Sequence, residues 1–292
     1  MIFRSGILVA LFGLMLAPVA NVSFTQDLKA DSVTPVPPVA NPCPRFSAGS
    51  RIHDPPALFS SNGVLKVRFS YQQRIDSNGL ELLCFMTPEG LEDPTLHVKP
   101  GDHLMIMLTN NTPSAPAFMD PLNDPICGSS RQPTRASINI HYHGTNTSPS
   151  CHQDNVIKTV INPGETFAYD VVIPSNEPAG LYFYHPHVHM LAEASTQAGA
   201  TGAIIVGGME GQQPAVRGLK QRVLLIRDQL VPGFPSPIGH VPSFDLSLNY
   251  IPITSSASSS SGFVSPILRM QPASKELWRL ANISADVVLD IQ

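Results

Sequence analysis

Two short stretches gather five of the ten histidines: His141-Tyr142-His143-Gly144 and His185-Pro186-His187-Val188-His189. In an extended chain, residues two apart point to the same face. His141 and His143 therefore project side by side, as do His185, His187 and His189. Two such strands brought together would deliver four or five imidazoles into one small volume. Buried imidazoles without partners are costly, whereas neutral imidazole is a good ligand for copper, zinc, iron or nickel. The pattern reads as a metal centre.

Strands must position these groups, and the chain is rich in strand patterns. Residues 64–71 (VLKVRFSY) alternate polar and apolar side chains, the period of a half-buried strand. Residues 80–86, 95–98, 103–110, 137–143, 166–173, 180–185 and 201–206 also read as strands. Turn signals separate them: Ser-Asn-Gly at 77–79, Lys-Pro-Gly-Asp at 99–102, Asn-Pro-Gly-Glu at 162–165 and Ser-Asn-Glu-Pro at 175–178. About eight strands in this stretch predict a β-sandwich or barrel. One short helix is expected over 190–197, ending before Gly199. Residues 207–218 read as a polar linker. A second block begins with the strand pattern at 221–227, holds a Ser-rich loop at 255–262 and reaches 286–292 (DVVLDIQ) in what reads as mid-strand. His240, in that block, is expected to lie away from the histidine groups.

Composition supports this class. Of 292 residues, 14% are charged and 29 are Pro, with a net charge of −4. Average domains carry roughly 25% charge and about 5% Pro. A charge-poor, mildly acidic chain lacks the basic patch of a nucleic-acid binder. Arg4 followed by an apolar run over 7–17 and then small residues forms a secretory signal pattern, too short to span a bilayer comfortably. A secreted or periplasmic protein is expected, with no membrane span once the signal is removed. Export permits disulfides. Four cysteines allow three pairings; Cys43–Cys84 and Cys127–Cys151 are favoured because each closes a modest loop. Asn21, Asn110, Asn146 and Asn282 stand in glycosylation sequons.

Neighbouring residues separate the metal classes. A metallo-β-lactamase-type hydrolase would place Asp and His soon after the first pair, where Gly144-Thr145-Asn146-Thr147 stands. A cupin would place a Glu there, and no acid stands between His143 and Asp154. A two-domain copper nitrite reductase would carry Cys in the second group, where Pro186-His187 stands. What the residues do resemble is the first domain of a multicopper oxidase, of the laccase, bilirubin oxidase and ascorbate oxidase kind. Residues 93–102 (DPTLHVKPGD) are similar to the strand and turn that open a cupredoxin domain. His141–Gly144 looks like the family's His-Trp-His-Gly motif with Tyr142 replacing Trp. Residues 180–187 (GLYFYHPH) look like its second motif, followed by a glycine-containing return strand at 199–206. Residues 277–284 (LWRLANIS) resemble a strand of its second domain.

The resemblance implies an all-β, cupredoxin-like Greek-key sandwich at 51–208, after a signal peptide (1–25) and a Pro-rich leader (26–50), then an incomplete second cupredoxin-like domain at 219–292. It implies copper: His141 on the type 2 ion, and His143, His185 and His187 on the type 3 pair. His189 has no ligand counterpart and is expected beside the cluster. Asp154 stands where the family often has a proton-passing acid, a role suited to a carboxylate near a cationic cluster. His152 is expected to be a loop residue. The complete enzyme would couple one-electron oxidation of a small substrate to reduction of O₂ to water. The family's type 1 copper needs a Cys thiolate with two His and a weak axial ligand, and none of the four cysteines has that context. The other ligands of the trinuclear cluster are missing as well. The chain is therefore expected to be an N-terminal fragment, inactive alone, with a truncated relic or a non-catalytic copper-binding module as the alternatives.

Overall fold

The structure, a computed structural model, describes residues 34–122, 127–230 and 244–290. The expected signal peptide, Asn21 and His240 lie outside the described residues. Nearly all regular structure is β. Strands β1 (Ala57–Phe59), β2 (Val64–Ile75), β3 (Glu81–Met86), β4 (Thr95–Val98), β5 (His103–Asn110), β6 (His141–His143), β7 (Thr166–Val172), β8 (Gly180–His185) and β9 (Gly202–Val206) form two sheets, ordered β3-β2-β5-β7 and β1-β4-β9-β8-β6. The alternation read at 64–71 puts Leu65, Val67, Phe69 and Tyr71 inward. They meet Leu104, Ile106 and Leu108 of β5, Tyr169 and Val171 of β7, and, from the other sheet, Leu96, Tyr142, Tyr184 and Ile204. Each such side chain removed from water contributes roughly 1.5–3 kcal/mol.

The second block supplies β10 (Lys220–Leu230), β11 (Phe244–Leu248), β12 (Ile251–Ser255), β13 (Phe263–Val264) and β14 (Glu276–Asn282), ordered β13-β12-β11-β10-β14. Val223, Leu225 and Ile283 pack on Ala203 and Ile205 of β9, with Leu181 and Phe183 alongside. Sheet β1-β4-β9-β8-β6 is thus covered on both faces, and every residue of β9 is buried. That explains why β9 reads GAIIV, a run rather than an alternation. Gly202 is required there: a Cβ would come within 2.3 Å of the Tyr184 ring. That ring is buried, and its hydroxyl donates to the Pro94 carbonyl at 2.9 Å.

Tyr250 ties the second block to the first. Its ring lies between the guanidinium groups of Arg45 (4.1 Å) and Arg227 (3.9 Å), and its hydroxyl reaches the Asp93 carboxyl at 2.6 Å. Burial pushes the Asp93 carboxyl well above the usual range. Tyr250 and Asn249 both take left-handed backbone, φ 63° and 49°, as a two-residue hairpin between β11 and β12 demands.

Several expectations need correcting. Of the strand expected at 137–143, only β6 forms, with an isolated bridge pairing Ile138 and Ile161. The helix, α1, spans Ala192–Gln197. The supposed linker holds a short helix, α2 (Met209–Gln212), and a 3₁₀ turn at Pro214–Val216. Residues 286–290 belong to no strand; the edge strands of that sheet are β13 and β14. Asn110, read as a sequon, is fully buried and donates both amide hydrogens to the Ala136 and Ile161 carbonyls. Both favoured disulfides are present, with Cα separations of 5.5 Å for Cys43–Cys84 and 5.0 Å for Cys127–Cys151. Among the described residues no helix is long and apolar enough to cross a membrane.

Candidate metal centre

The two histidine groups sit on neighbouring antiparallel strands of one sheet, β6 and β8, with His141 directly opposite His185. Each group is held by its core neighbour. Tyr142 and Tyr184 point inward, fully buried, so the flanking histidines must point outward. Gly144 then ends β6 in left-handed backbone at φ 83°. Pro186, which has no N–H to donate, closes β8, and His187 follows in irregular chain.

The rings of His141, His143, His185 and His187 converge. Centroid separations are 5.4 Å for 141–143, 5.4 Å for 141–185, 5.1 Å for 141–187, 5.4 Å for 143–185 and 5.7 Å for 185–187. One nitrogen each from His141, His143 and His185 lies within 4.8 Å of the others. His189 is exposed and makes no ring contact with this group. His152 is a surface residue as expected, stacked on Phe167 at 4.9 Å with Nδ1 on the Ala168 carbonyl.

The rings are oriented by partners at their far nitrogens. His141 Nδ1 donates to Asp154, 2.9 Å from Oδ1 and 3.1 Å from Oδ2. Asp154 also accepts the Tyr142 N–H at 3.2 Å, and its side chain is 11% exposed. His185 Nδ1 donates to the Pro186 carbonyl at 2.8 Å. Both Nε2 atoms are thereby left with free lone pairs, the tautomer a metal ligand needs. His143 turns the opposite nitrogen inward: its Nδ1 faces His185 Nε2 at 3.2 Å. Burial, the largest cause, holds His185 down at about 4 and lowers His143 too, with neighbouring histidines adding to both shifts. Both rings are neutral at pH 7.

This donor set fits a metal ion. Two nitrogens 3.2 Å apart subtend about 100° at an ion roughly 2.0–2.1 Å from each, an ordinary ligand angle at ordinary imidazole distances. Three converging nitrogen donors without thiolate, with the His187 ring 5.1 Å from that of His141 but outside the group of three, suit copper or zinc among the transition metals.

Two contributors escaped the sequence reading. Asn139 is fully buried and accepts the His187 N–H at 2.7 Å, while its amide donates to the Val156 and Thr159 carbonyls. It stands two residues before His141, in phase with both histidines, which is the signal that could have found it. Phe183 stacks on His143 at 4.2 Å and on His185 at 5.4 Å, roofing one side of the cluster; its position opposite His143 shows only once the strands are paired.

Part of the chain is similar to known proteins. Residues 132–210 match the family model for multicopper oxidases. An L-ascorbate oxidase of Cucumis sativus is 28% identical over 138 residues, which is 46% of this chain and 19% of that enzyme. One from Brassica rapa subsp. pekinensis is 27% identical over the same shares. The crystal structure of McoA multicopper oxidase from the hyperthermophile Aquifex aeolicus aligns with TM-score 0.56 at 19% identity, over 80% of this chain and 46% of that one. That likeness shows the cupredoxin-like fold. The chain matches less than half the length of each of these relatives. The matched stretch, residues 132–210, runs through both histidine groups, and in it the chain is similar to multicopper oxidases.

Proposed function

We propose that this chain is the N-terminal part of a secreted multicopper oxidase and contributes half the ligands of its trinuclear copper cluster. Residues 51–208 form its first cupredoxin domain and 219–292 begin the second. His141 is assigned to the type 2 ion, and His143, His185 and His187 to the type 3 pair. The observation that carries the reading is the His143 Nδ1 to His185 Nε2 approach at 3.2 Å, an arrangement suited to two ligands of one ion. Copper supplies one-electron chemistry, coupling oxidation of a small reducing substrate to reduction of O₂ to water.

The remaining residues hold this half-site in place. Asp154 fixes the His141 tautomer at Nδ1, and Asn139 fixes the His187 backbone. Phe183 keeps water from one side of His143 and His185. Asp154 is also proposed to relay protons at Oδ2, where the Thr147 hydroxyl lies 3.4 Å away. Two disulfides support an exported protein, since such bonds persist in oxidising compartments.

A second reading, a copper-holding module without turnover, draws on the exposure of His143 and His187. O₂ uptake separates the readings from a third outcome. Residues 31–292 loaded with Cu(II) and given a phenolic donor should show no strong blue absorption and no sustained uptake above free copper. Rejoined to a downstream segment bearing the Cys ligand, the chain should turn over; failure there favours the module. Robust turnover of the chain alone, abolished by His185→Ala, would overturn both.

A further inference from the structure

Tyr250 makes two short contacts through one hydroxyl. Its oxygen lies 2.6 Å from Asp93 Oδ2 and 2.7 Å from the Gly199 carbonyl. A phenolic hydroxyl carries a single hydrogen, and a carbonyl oxygen can only accept. Were Asp93 a carboxylate, two acceptors would compete for that one hydrogen. Both contacts are hydrogen bonds only when the Asp93 carboxyl carries a proton of its own. Asp93 Oδ2 then donates to the Tyr250 oxygen, and Tyr250 donates to Gly199. Asp93 Oδ1 accepts the Phe85 N–H at 3.0 Å, which suits the carbonyl oxygen of a neutral acid.

The surroundings favour that neutral form. Asp93 is 1% exposed, and a buried charge without a hydrogen-bonded counter-charge is costly. Two guanidinium groups lie on the Tyr250 ring, but their hydrogens go elsewhere. Arg45 pairs with Glu92, and Arg227 donates Nε and Nη2 to the Thr201 hydroxyl and carbonyl at 2.9 and 2.7 Å. Glu92, adjacent in the chain, adds a like charge, and Arg74 of β2 acts on Glu92. The other ionisable groups facing Asp93 are the buried hydroxyls of Tyr71 on β2 and Tyr184 on β8. Burial first, and then the Glu92 charge, outweigh the pull of Arg227.

We propose that Asp93 is a buried neutral carboxylic acid whose proton latches the third sheet to the first sandwich, so that rising pH weakens the joint. Asp93 lies between β3 and β4, Tyr250 in the β11–β12 hairpin, and Gly199 between α1 and β9. Two protons thus tie three elements together. Loss of the Asp93 proton draws the Tyr250 hydrogen to the carboxylate, and the Gly199 carbonyl keeps only the Thr201 N–H. The latch uses none of the four clustered histidines and is independent of the copper assignment.

Infrared spectroscopy of the full chain in D₂O tests the protonation, because a protonated carboxyl absorbs apart from carboxylates. Such a band is expected at neutral pH and should weaken in Asp93→Asn. The amide keeps the shape of the neutral acid, with its oxygen on the Phe85 N–H and its N–H₂ on Tyr250. Tyr250→Phe removes the acceptor; it should shift the band and decides the matter if the asparagine variant fails to fold. The latch is tested by pH. Unfolding releases the Asp93 proton, so stability falls as pH rises. Between about pH 5 and 7 the unfolding constant of the parent, from urea titrations, should climb relative to that of Asp93→Asn by up to about tenfold per pH unit. Amide exchange in β11 and β12, compared with the variant at each pH, should follow the same trend, since opening the joint exposes the same carboxyl. Absence of a protonated-carboxyl band at neutral pH, or a band indifferent to both substitutions, overturns the proposal. So does a parent-to-variant ratio, in unfolding or in exchange, that stays constant over that window.

Discussion

Replacing Asp154 by asparagine should weaken copper binding about 10–100-fold while leaving the chain folded. The carboxylate accepts from His141 Nδ1 at 2.9 and 3.1 Å and from the Tyr142 N–H at 3.2 Å. An asparagine of the same shape can keep its oxygen on the Tyr142 N–H and His141 Nδ1, so the strand end survives. It loses the negative charge that makes His141 Nε2 a stronger donor, and it places an amide N–H₂ where Oδ2 faced the ring. Loss of such an outer partner typically costs about 10–100-fold in metal affinity, or roughly 1.4–2.7 kcal/mol. In the metal-free chain the same change removes part of one charge-assisted contact, worth about 1–2 kcal/mol. Asp154→Ala, which also strands the Tyr142 N–H, should cost more on both counts. Chelator competition at pH 7 measures the affinity, and circular dichroism with a urea titration checks the fold. A copper affinity within twofold of the parent in a fully folded Asp154→Asn variant would refute the reasoning that this carboxylate sets the ligand.

Acidity should act through His185. Its folded pKa, about 4, lies below the ordinary value near 6.5, so the unfolded chain takes up a proton that the folded chain refuses. The linked stability is full above pH 6.5 and lost as pH falls towards 4, about 3 kcal/mol in all. Urea titrations of metal-free parent and His185→Gln should therefore differ progressively across that window, and a constant difference would contradict the burial argument. Cys127→Ser with Cys151→Ser should lower stability by about 2–4 kcal/mol. Non-reducing peptide maps should show Cys43–Cys84 and Cys127–Cys151, and a Cys84–Cys127 peptide would overturn the pairing.

The histidine groups were legible because two chemical patterns coincide there, the period of a strand and the repetition of a ligand. The first sandwich followed from the alternation at 64–71 together with the strand patterns and turn signals around it. What stayed hidden depends on tertiary packing. β9 reads as a continuous apolar run because the third sheet covers its second face. The β11–β12 hairpin carries Asn249-Tyr250 rather than a glycine pair, and it is held by the Arg45, Arg227 and Asp93 contacts of Tyr250, all remote in sequence. Residues 286–290 are not strand, and the Ala285 and Asp286 N–H groups at their start donate to the Asp228 side chain on β10, at 2.9 and 3.0 Å, rather than to a strand backbone. Asn139 was passed over because a single asparagine before a histidine pair looks like ordinary strand polarity until its buried bonds are seen.

The central claim is that His141, His143, His185 and His187 hold copper as one half-site. X-ray absorption of the Cu(II)-loaded chain tests it most directly, because it counts imidazole nitrogens around the metal. Imidazole scattering with nitrogens at about 2.0 Å, reduced in His143→Ala and in His185→Ala and unchanged in His152→Ala, is the expected result. A spectrum that keeps its full imidazole signal in both the His143 and His185 variants would mean that copper binds elsewhere and would contradict the claim.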